Sequence, residues 1–150
     1  MTAAPETRSS FYPAFLLLPE DKREALSAVY AFCRAVDDVA DEPGGTEEAL
    51  DAWRAEIDAL YAGAPRTPVG RRLAAALKRF PLPREAFEEI VEGARREMAH
   101  HYLSQTSLEL IETAYLLGYE DSNSFFRAFH QWEGTTPGEW RRARQTKISA

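Results

Sequence analysis

Apolar residues recur at intervals of three and four along most of the chain, and prolines and glycines interrupt them. This spacing places apolar side chains on one face of an α-helix. The alternation of apolar and polar residues that indicates a β-strand is absent from the sequence. The pattern predicts an all-α fold, divided by the breakers into separate helices. The predicted helices span residues 19–42, 46–61, 69–80, 84–104, 107–117, 121–132 and 137–144.

The composition, with 45% hydrophobic and 28% charged residues, is that of a globular domain. No apolar run approaches the roughly 20 residues of a membrane span, and the N-terminus lacks the pattern of a secretory signal. We therefore expect a cytoplasmic protein without a stable membrane span. Cys33 is the single cysteine, which excludes a disulfide framework within the chain. His100 and His101 are adjacent on one helix and point in different directions, and we expect them to be surface or phosphate-facing residues.

The net charge of −6 is unevenly distributed. Residues 1–98 carry 13 Lys and Arg against 18 Asp and Glu, and residues 99–150 carry 5 against 6. Proteins that bind DNA tightly without sequence preference neutralise its phosphates with Lys and Arg. Neither part is basic, so the charge argues against strong unaided affinity for nucleic acid.

Four carboxylates crowd the predicted C-terminus of the first long helix, in the run DDVADE at 37–42. Asp37 and Asp41 share one helix face, and Asp38 and Glu42 share another. Like charges repel, and the helix dipole is negative at this end, so something should compensate them. Mg²⁺ suits oxygen ligands at this spacing, because it takes one or two carboxylates and completes its shell with water and phosphate oxygens. A solvated acidic helix end remains the alternative.

The first 95 residues resemble the beginning of bacterial squalene and phytoene synthases. The stretches that carry the resemblance are SSFY at 9–12, LLP at 17–19, AVYAFCRAVDDVADE at 28–42, WRAEI at 53–57, LYAG at 60–63, FPLP at 80–83 and FEEI at 87–90. Members of that family join two isoprenoid diphosphates head to head.

The resemblance also implies roles for individual residues. Asp37, Asp38 and Asp41 would hold Mg²⁺ on the substrate diphosphate, and Arg34 would help to bind it. The substrate pocket would be lined by Ser10, Phe11 and Tyr30.

The synthase reaction requires an aspartate-rich motif on a second helix that faces the first, and the 150 residues contain one such motif. Stabilising the pyrophosphate that leaves an allylic cation takes metal ions clamped from opposite walls. We therefore expect no complete synthase activity from this sequence and assign no catalytic residue. Binding of Mg²⁺ or of an isoprenoid diphosphate stays open.

Residues 96–150 resemble the C-terminal end of AraC-type transcription regulators. The matching stretches are REMAHHYL at 96–103, LLGYEDSNSFFRAF at 116–129 and TPGEWR at 136–141. The residues agree with a helix-turn-helix, because a small Ala114 lets two helices approach and Gly118 permits a tight turn. Asp121 or Ser122 is placed to cap the second helix. The predicted small core consists of Phe125, Phe129, Trp132 and Trp140.

In a helix-turn-helix the second helix enters the major groove, with its N-terminal residues at the base edges. The resemblance implies that Ser122, Asn123, Ser124 and Arg127 face the bases. We predict phosphate contacts for His130, Gln131 and Arg141, which flank that face. The alternative is that these residues form only the solvent side of an amphipathic helix.

AraC-type regulators carry two such units joined by a long helix, and this sequence shows one unit and no effector-binding domain. A lone unit makes fewer phosphate contacts, so its DNA binding should be weak. The two resemblances meet inside the predicted helix 84–104, which indicates a chimeric or fused chain with domains 1–95 and 96–150. We favour weak, sequence-selective DNA binding through residues 107–142, with an isoprenoid-diphosphate transferase remnant or an inactive scaffold as alternatives.

Overall fold

The computed structural model describes residues 12–41, 45–105 and 107–149, and within these ranges the chain is helical without any strand. This confirms the all-α prediction. None of the described helices is long and apolar enough to cross a membrane. The helices are α1 (Tyr12–Leu16), α2 (Glu20–Asp41), α3 (Glu47–Tyr61), α4 (Pro68–Arg79), α5 (Arg84–Ser104), α6 (Leu110–Leu116), α7 (Ser122–Glu133) and α8 (Pro137–Ser149).

Short polar side chains begin three of these helices. The Thr67 hydroxyl accepts a hydrogen bond from the Gly70 N–H, 2.9 Å away, at the start of α4. The Asp121 carboxylate accepts one from the Ser124 N–H at 2.7 Å and caps α7. Thr46 accepts one from the Ala49 N–H at 3.3 Å before α3. The predicted cap at Asp121 is confirmed, and each of the three caps satisfies a backbone donor that the helix leaves unpaired.

Two helix ends differ from the prediction by more than one residue. Helix α6 begins at Leu110 rather than Ser107, because the Leu108 N–H donates to the Gln105 carbonyl in a turn. Helix α8 continues to Ser149 rather than ending near Arg144, since no proline or glycine follows Gly138. The short helix α1 was not predicted, because five residues are too few to show a periodicity.

The chain divides into two compact units. Unit 1 contains the residues up to 38 and residues 52–91, and unit 2 contains residues 39–51 and the residues from 92 onward. Helices α2, α3 and α5 each contribute residues to both units.

Unit 1 has an aromatic centre. Phe32 is 1% exposed and makes edge-to-face contacts with Trp53, at 5.6 Å between ring centroids, and with Phe87, at 5.2 Å. Such contacts add to the free energy gained by burying apolar area. The surrounding buried side chains are Ala28, Val36, Ile57, Leu60, Leu73, Ala76 and Val91.

A buried carboxylate fixes the connection between α3 and α4 in unit 1. Glu56 accepts hydrogen bonds from the backbone N–H groups of Arg66, at 2.9 Å, and Thr67, at 2.6 Å. Burial acts to raise the pKa of Glu56, but hydrogen bonds from Thr67 and Arg66 outweigh it, and the pKa is lowered. Glu56 therefore stays ionised as an acceptor for loop amides that have no other partner in the helices.

Unit 2 contains the predicted helix-turn-helix core. Phe125 and Phe129 are fully buried, and Trp132 and Trp140 are half-buried against Phe129, with ring centroids 6.3 and 6.0 Å away. Ala114 is also fully buried, as expected for a small residue where helices approach closely. The other buried side chains of this core include Leu50, Ala94, Met98, Ala99, Leu103 and Leu117.

Arg95 on α5 connects three parts of unit 2. Its Nη2 donates to the Leu117 carbonyl at 2.9 Å, its Nε lies 3.6 Å from a Glu47 carboxylate oxygen, and its guanidinium stacks 3.8 Å from the Tyr119 ring centroid. The side chains of Arg95 and Glu47 are only 17% and 8% exposed. Burying one of these charges without the other would be costly, so the pair is maintained as a unit.

The turn after α6 depends on Gly118. Its φ of +83° lies in the left-handed region, and a Cβ there would come within 2.5 Å of Glu47 Cγ. Gly134 also has a positive φ, +73°, but a Cβ there would meet nothing within 4 Å. A substitution at Gly134 would therefore cost backbone strain alone, whereas one at Gly118 would cost the same strain and a steric clash.

We expect Gly118→Ala to destabilise the protein more than Gly134→Ala. Backbone strain should cost each variant about 1–2 kcal/mol, and Gly118→Ala must in addition displace the Glu47 side chain that Arg95 holds. Urea denaturation of both variants beside the wild type measures the difference. Equal losses would contradict the close approach of Gly118 to Glu47.

Candidate functional site

Helix α7 presents a polar stripe opposite its buried face. Asn123, Arg127, His130 and Gln131 are all exposed, and their spacing of four, three and one residues places them on one side of the helix. Phe125 and Phe129, on the other side, are fully buried. The structure therefore brings together four of the seven residues predicted to contact DNA.

The two serines of the predicted set lie closer to the protein. Ser122 and Ser124 are half-buried at the start of α7, and the Ser124 hydroxyl donates to Asp121 Oδ2 at 3.0 Å. Hydrogen bonds from the Ser124 backbone N–H and hydroxyl lower the pKa of Asp121. Arg127 Nη2 in turn lies 3.5 Å from Ser124 Oγ, at the limit of a hydrogen bond. Ser124 thus contributes to the cap and positions Arg127 near the N-terminal end of the stripe.

The C-terminal end of α7 is bound to α5 through Glu133. One Glu133 carboxylate oxygen accepts from Arg96 Nε at 2.7 Å and lies 2.5 Å from His100 Nε2. The Arg96 hydrogen bond lowers the pKa of Glu133 below its usual range, against a smaller opposing effect of burial. The Asp121 cap thus holds the N-terminal end of the polar stripe, and the Glu133 contacts with Arg96 and His100 hold its C-terminal end.

His100 is part of the packing rather than an open surface position. Its ring stacks on Trp140, with centroids 4.7 Å apart and planes 10° from parallel, and meets the edge of Phe129. The expectation that His100 lies at the surface was wrong, because helical spacing alone could not show that Trp140 lies over this position. His101 is exposed, as expected.

Arg141 is half-buried and has a structural hydrogen bond. Its Nε donates to the carbonyl of Leu103, 2.8 Å away, near the C-terminus of α5. This bond satisfies a carbonyl that the end of a helix leaves unpaired and holds α8 on α5. The phosphate contact predicted for Arg141 stays a prediction.

The predicted metal ligands lie on the last turns of α2. Asp37, Asp38 and Asp41 are exposed, and Asp38 forms an exposed ion pair with Arg34 at 3.7 Å. Exposed pairs of this kind contribute little to stability. Within the described ranges, no group of three or more His, Cys, Asp or Glu side chains is placed to hold a metal ion.

The residues predicted to line an isoprenoid pocket are only partly described. Tyr30 is half-buried on α2. Ser10 and Phe11 lie outside the described residues, as does Glu42. The pocket predicted from these positions therefore stays a prediction.

The lowered pKa of Glu133 has a consequence for stability. A carboxylate whose pKa is depressed in the folded state stabilises it above the unfolded value, here 4.5, and loses that contribution as the pH falls through the folded pKa. We expect Glu133→Gln to lower the free energy of unfolding at pH 7 by about 1–2 kcal/mol. The deficit should shrink below pH 4.5 and vanish once Glu133 is protonated.

Urea denaturation between pH 7 and pH 3 measures this difference, with Glu112→Gln as the control, since Glu112 is exposed on α6. A deficit of Glu133→Gln that stays constant over the whole pH range would contradict the assignment of Glu133 as an ionised partner of Arg96.

Comparison with known proteins places both parts of the chain. The squalene/phytoene synthase family model matches residues 4–110, and a helix-turn-helix domain model matches residues 84–143. The two matches overlap on residues 84–110, a range that includes all of α5. No solved structure shows a significant match.

Curated relatives are enzymes of isoprenoid synthesis. Presqualene diphosphate synthase of Zymomonas mobilis is 46% identical over 98 residues, covering 60% of this chain and 32% of the relative. The 15-cis-phytoene synthase of Synechococcus elongatus is 33% identical over 143 residues, covering 85% of this chain and 45% of the relative. Phytoene synthase of Thermus thermophilus is 38% identical over 107 residues, covering 71% and 37%.

The chain thus spans less than half the length of these relatives. The synthase model nevertheless matches most of the chain, from residue 4 to residue 110. The helix-turn-helix match accounts for residues 84–143, which include α6, α7 and the start of α8. The chain belongs to the squalene/phytoene synthase family and carries, from residue 84 onward, a helix-turn-helix domain.

Proposed function

We propose that the chain binds duplex DNA weakly through the exposed polar stripe of α7, in the manner of an AraC-type transcription regulator. The observation that carries the proposal is the stripe of Asn123, Arg127, His130 and Gln131, exposed on the second helix of a helix-turn-helix. In that fold the second helix is the one that enters the major groove.

The side chains of the stripe suit the chemistry of base edges and phosphates. An asparagine amide can form two hydrogen bonds with adenine, and an arginine guanidinium can form two with guanine. Asn123 and Arg127 lie in the N-terminal half of α7, where base contacts are expected. His130 and Gln131 follow toward its C-terminus and are assigned to phosphates.

The supports at both ends of α7 favour recognition, because a rigid helix does not have to be ordered on binding. Asp121 caps its start, and Arg96 and His100 hold Glu133 at its end. The net charge of −6 and a single reading helix keep the affinity low.

We expect Arg127→Ala to abolish sequence-selective binding while leaving the fold intact, because Arg127 is exposed. Losing a bidentate contact with a base should cost about 1–3 kcal/mol, a factor of roughly 5 to 150 in affinity. The measurement is a titration against duplexes selected from a random-sequence pool, repeated at several salt concentrations.

Arg71→Ala is the matched control, since Arg71 is an exposed arginine on α4, outside the helix-turn-helix match. The wild type and Arg71→Ala should bind with affinities that fall linearly with salt on logarithmic axes. Binding that is independent of salt, or that survives Arg127→Ala unchanged, would rule out groove recognition by α7.

A second candidate function is Mg²⁺-dependent binding of an isoprenoid diphosphate at the end of α2. Its support is the synthase match over residues 4–110, which includes the exposed carboxylates of Asp37, Asp38 and Asp41. Carboxylate oxygens fit Mg²⁺, which needs only one or two of them when diphosphate oxygens and water complete its shell. Because the described residues hold no three-ligand metal group, the ion and the diphosphate should bind together rather than one after the other.

We expect millimolar Mg²⁺ with a short isoprenoid diphosphate to raise the melting temperature, since a ligand that binds only the folded state stabilises it, by about 2.7 kcal/mol at 100 times its Kd. The increase should disappear in Asp37→Ala with Asp41→Ala.

The matched control is Glu85→Ala with Glu89→Ala, which removes two exposed carboxylates at the same spacing from α5. No shift in the wild type would overturn the diphosphate proposal. If DNA binding also fails, the chain is an inactive scaffold.

A further inference from the structure

The last two helices carry a positive charge that the net charge of the whole chain conceals. Residues 122–149 contain five Lys and Arg and two Glu, whereas residues 99–121 contain four Asp and Glu and no Lys or Arg. Helix α8 alone holds four of the five cations, Arg141, Arg142, Arg144 and Lys147. The positive charge is therefore concentrated on α8, which contacts the DNA-reading helix α7.

The two acidic residues among residues 122–149 already have partners. Glu133 is bonded to Arg96 and His100, both on α5. Glu139 accepts a hydrogen bond from the Thr135 hydroxyl at 2.8 Å, and the charge of Arg142 helps to lower its pKa. Within the described part of the chain, no carboxylate forms an ion pair with Arg144 or Lys147. Among the side chains that the structure describes, these two cations have no carboxylate partner.

Arg144 and Lys147 lie on one face of α8, three residues apart, which corresponds to about 4.5 Å along the axis. Both are exposed. The Arg144 guanidinium lies 5.0 Å from the Trp140 ring, and Trp140 itself packs on His100 and Phe129. A cation–π contact of this kind restrains the arginine, so the charge has a preferred position beside the helix-turn-helix core.

These two residues lie beyond the part of the chain that resembles a helix-turn-helix. The domain match ends at residue 143, whereas α8 continues to Ser149. The extension is anchored, because Arg141 Nε donates to the Leu103 carbonyl one turn before Arg144. The two cations thus lie outside the matched domain, on a helix that is fixed to its core.

We propose that Arg144 and Lys147 form a phosphate-binding surface that contacts the backbone of the duplex read by α7. The inference rests on the proposed DNA-binding function and extends it to a second contact. Phosphate contacts fix the position of a protein on DNA and supply affinity without sequence preference. A single helix-turn-helix unit makes few phosphate contacts, and two further ones would partly offset that loss of affinity.

Duplex DNA fits this surface better than an anionic membrane does. A helix that lies on a membrane needs an apolar face beside its cationic one. The described side chains of α8 offer only one large apolar residue, Trp140, and that ring is packed against His100 and Phe129. Among the described side chains, the cationic surface therefore has no free apolar neighbour of the kind that membrane binding would require.

The test is Arg144→Gln with Lys147→Gln in the full chain, titrated with the selected duplex and with unrelated duplexes at salt concentrations from 50 to 200 mM. The slope of log affinity against log salt is negative, and each lost phosphate contact makes it shallower by about 0.9. The variant's slope should therefore be shallower than that of the wild type by about 1.8. The ratio of wild-type affinity to variant affinity should then be about ten times smaller at 200 mM salt than at 50 mM. The ratio of affinities for selected and unrelated duplexes should stay unchanged.

Lys22→Gln with Lys78→Gln is the matched control, because it removes two positive charges from unit 1. Circular dichroism and urea denaturation confirm that each variant folds. If the wild type binds duplex DNA and the α8 variant keeps its salt slope, or loses no more than the control, the phosphate surface is overturned and the function of α7 stands. If the wild type binds no duplex, the proposed function itself has failed.

Vesicles of phosphatidylglycerol provide the remaining comparison. Absence of binding by the wild type supports the assignment to DNA. Vesicle binding that is lost in the α8 variant, together with an unchanged DNA salt slope, would assign the surface to lipid and overturn the proposal.

Discussion

The buried guanidinium of Arg95 is the contact on which unit 2 depends. It joins the start of α3, through Glu47, to the turn after α6, through the Leu117 carbonyl and the Tyr119 ring. Arg95 and Glu47 are both charged, and their side chains are only 17% and 8% exposed, so removing either charge leaves the other in a poorly solvated position without its opposite charge at 3.6 Å. Glu47 lies in the part of the chain that only the synthase model matches, Leu117 and Tyr119 lie in the part that only the helix-turn-helix model matches, and Arg95 lies in the part that both match. Arg95 thus connects the two matched parts, through the Glu47 ion pair on one side and the Leu117 hydrogen bond and Tyr119 ring on the other.

This arrangement explains how a helix-turn-helix is supported in a chain whose larger match is to an enzyme family. In unit 2, α5 supplies Arg95, Arg96 and His100, which bind the turn and the end of α7. It also supplies the Leu103 carbonyl that anchors α8. Helix α5 lies in the region that both family models match. The exposed stripe of α7 is therefore presented from a core to which a helix of the shared region contributes.

The helices and their caps could be predicted from the sequence, because their signals are local. Thr46, Thr67 and Asp121 begin helices through contacts within four residues, and Gly118 marks a turn by its own conformational freedom. Asn123 and Arg127 of the exposed stripe were implied by the resemblance to AraC-type regulators, and His130 and Gln131 were predicted because they flank that face. The Arg95 contact could not be predicted in this way, because Arg95 and Glu47 are 48 positions apart. The same holds for Trp140 over His100, which turned an expected surface residue into a packed one.

The most direct test of this account is the stability of Arg95→Met compared with Arg84→Met. Both variants replace an arginine of α5, but Arg84 forms exposed pairs with Asp58 and Glu88, whereas Arg95 is buried with Glu47. We predict that urea denaturation will show a loss of about 3–5 kcal/mol for Arg95→Met and less than about 1 kcal/mol for Arg84→Met. If Arg95→Met is destabilised no more than Arg84→Met, Arg95 is not the contact that holds the two kinds of sequence together.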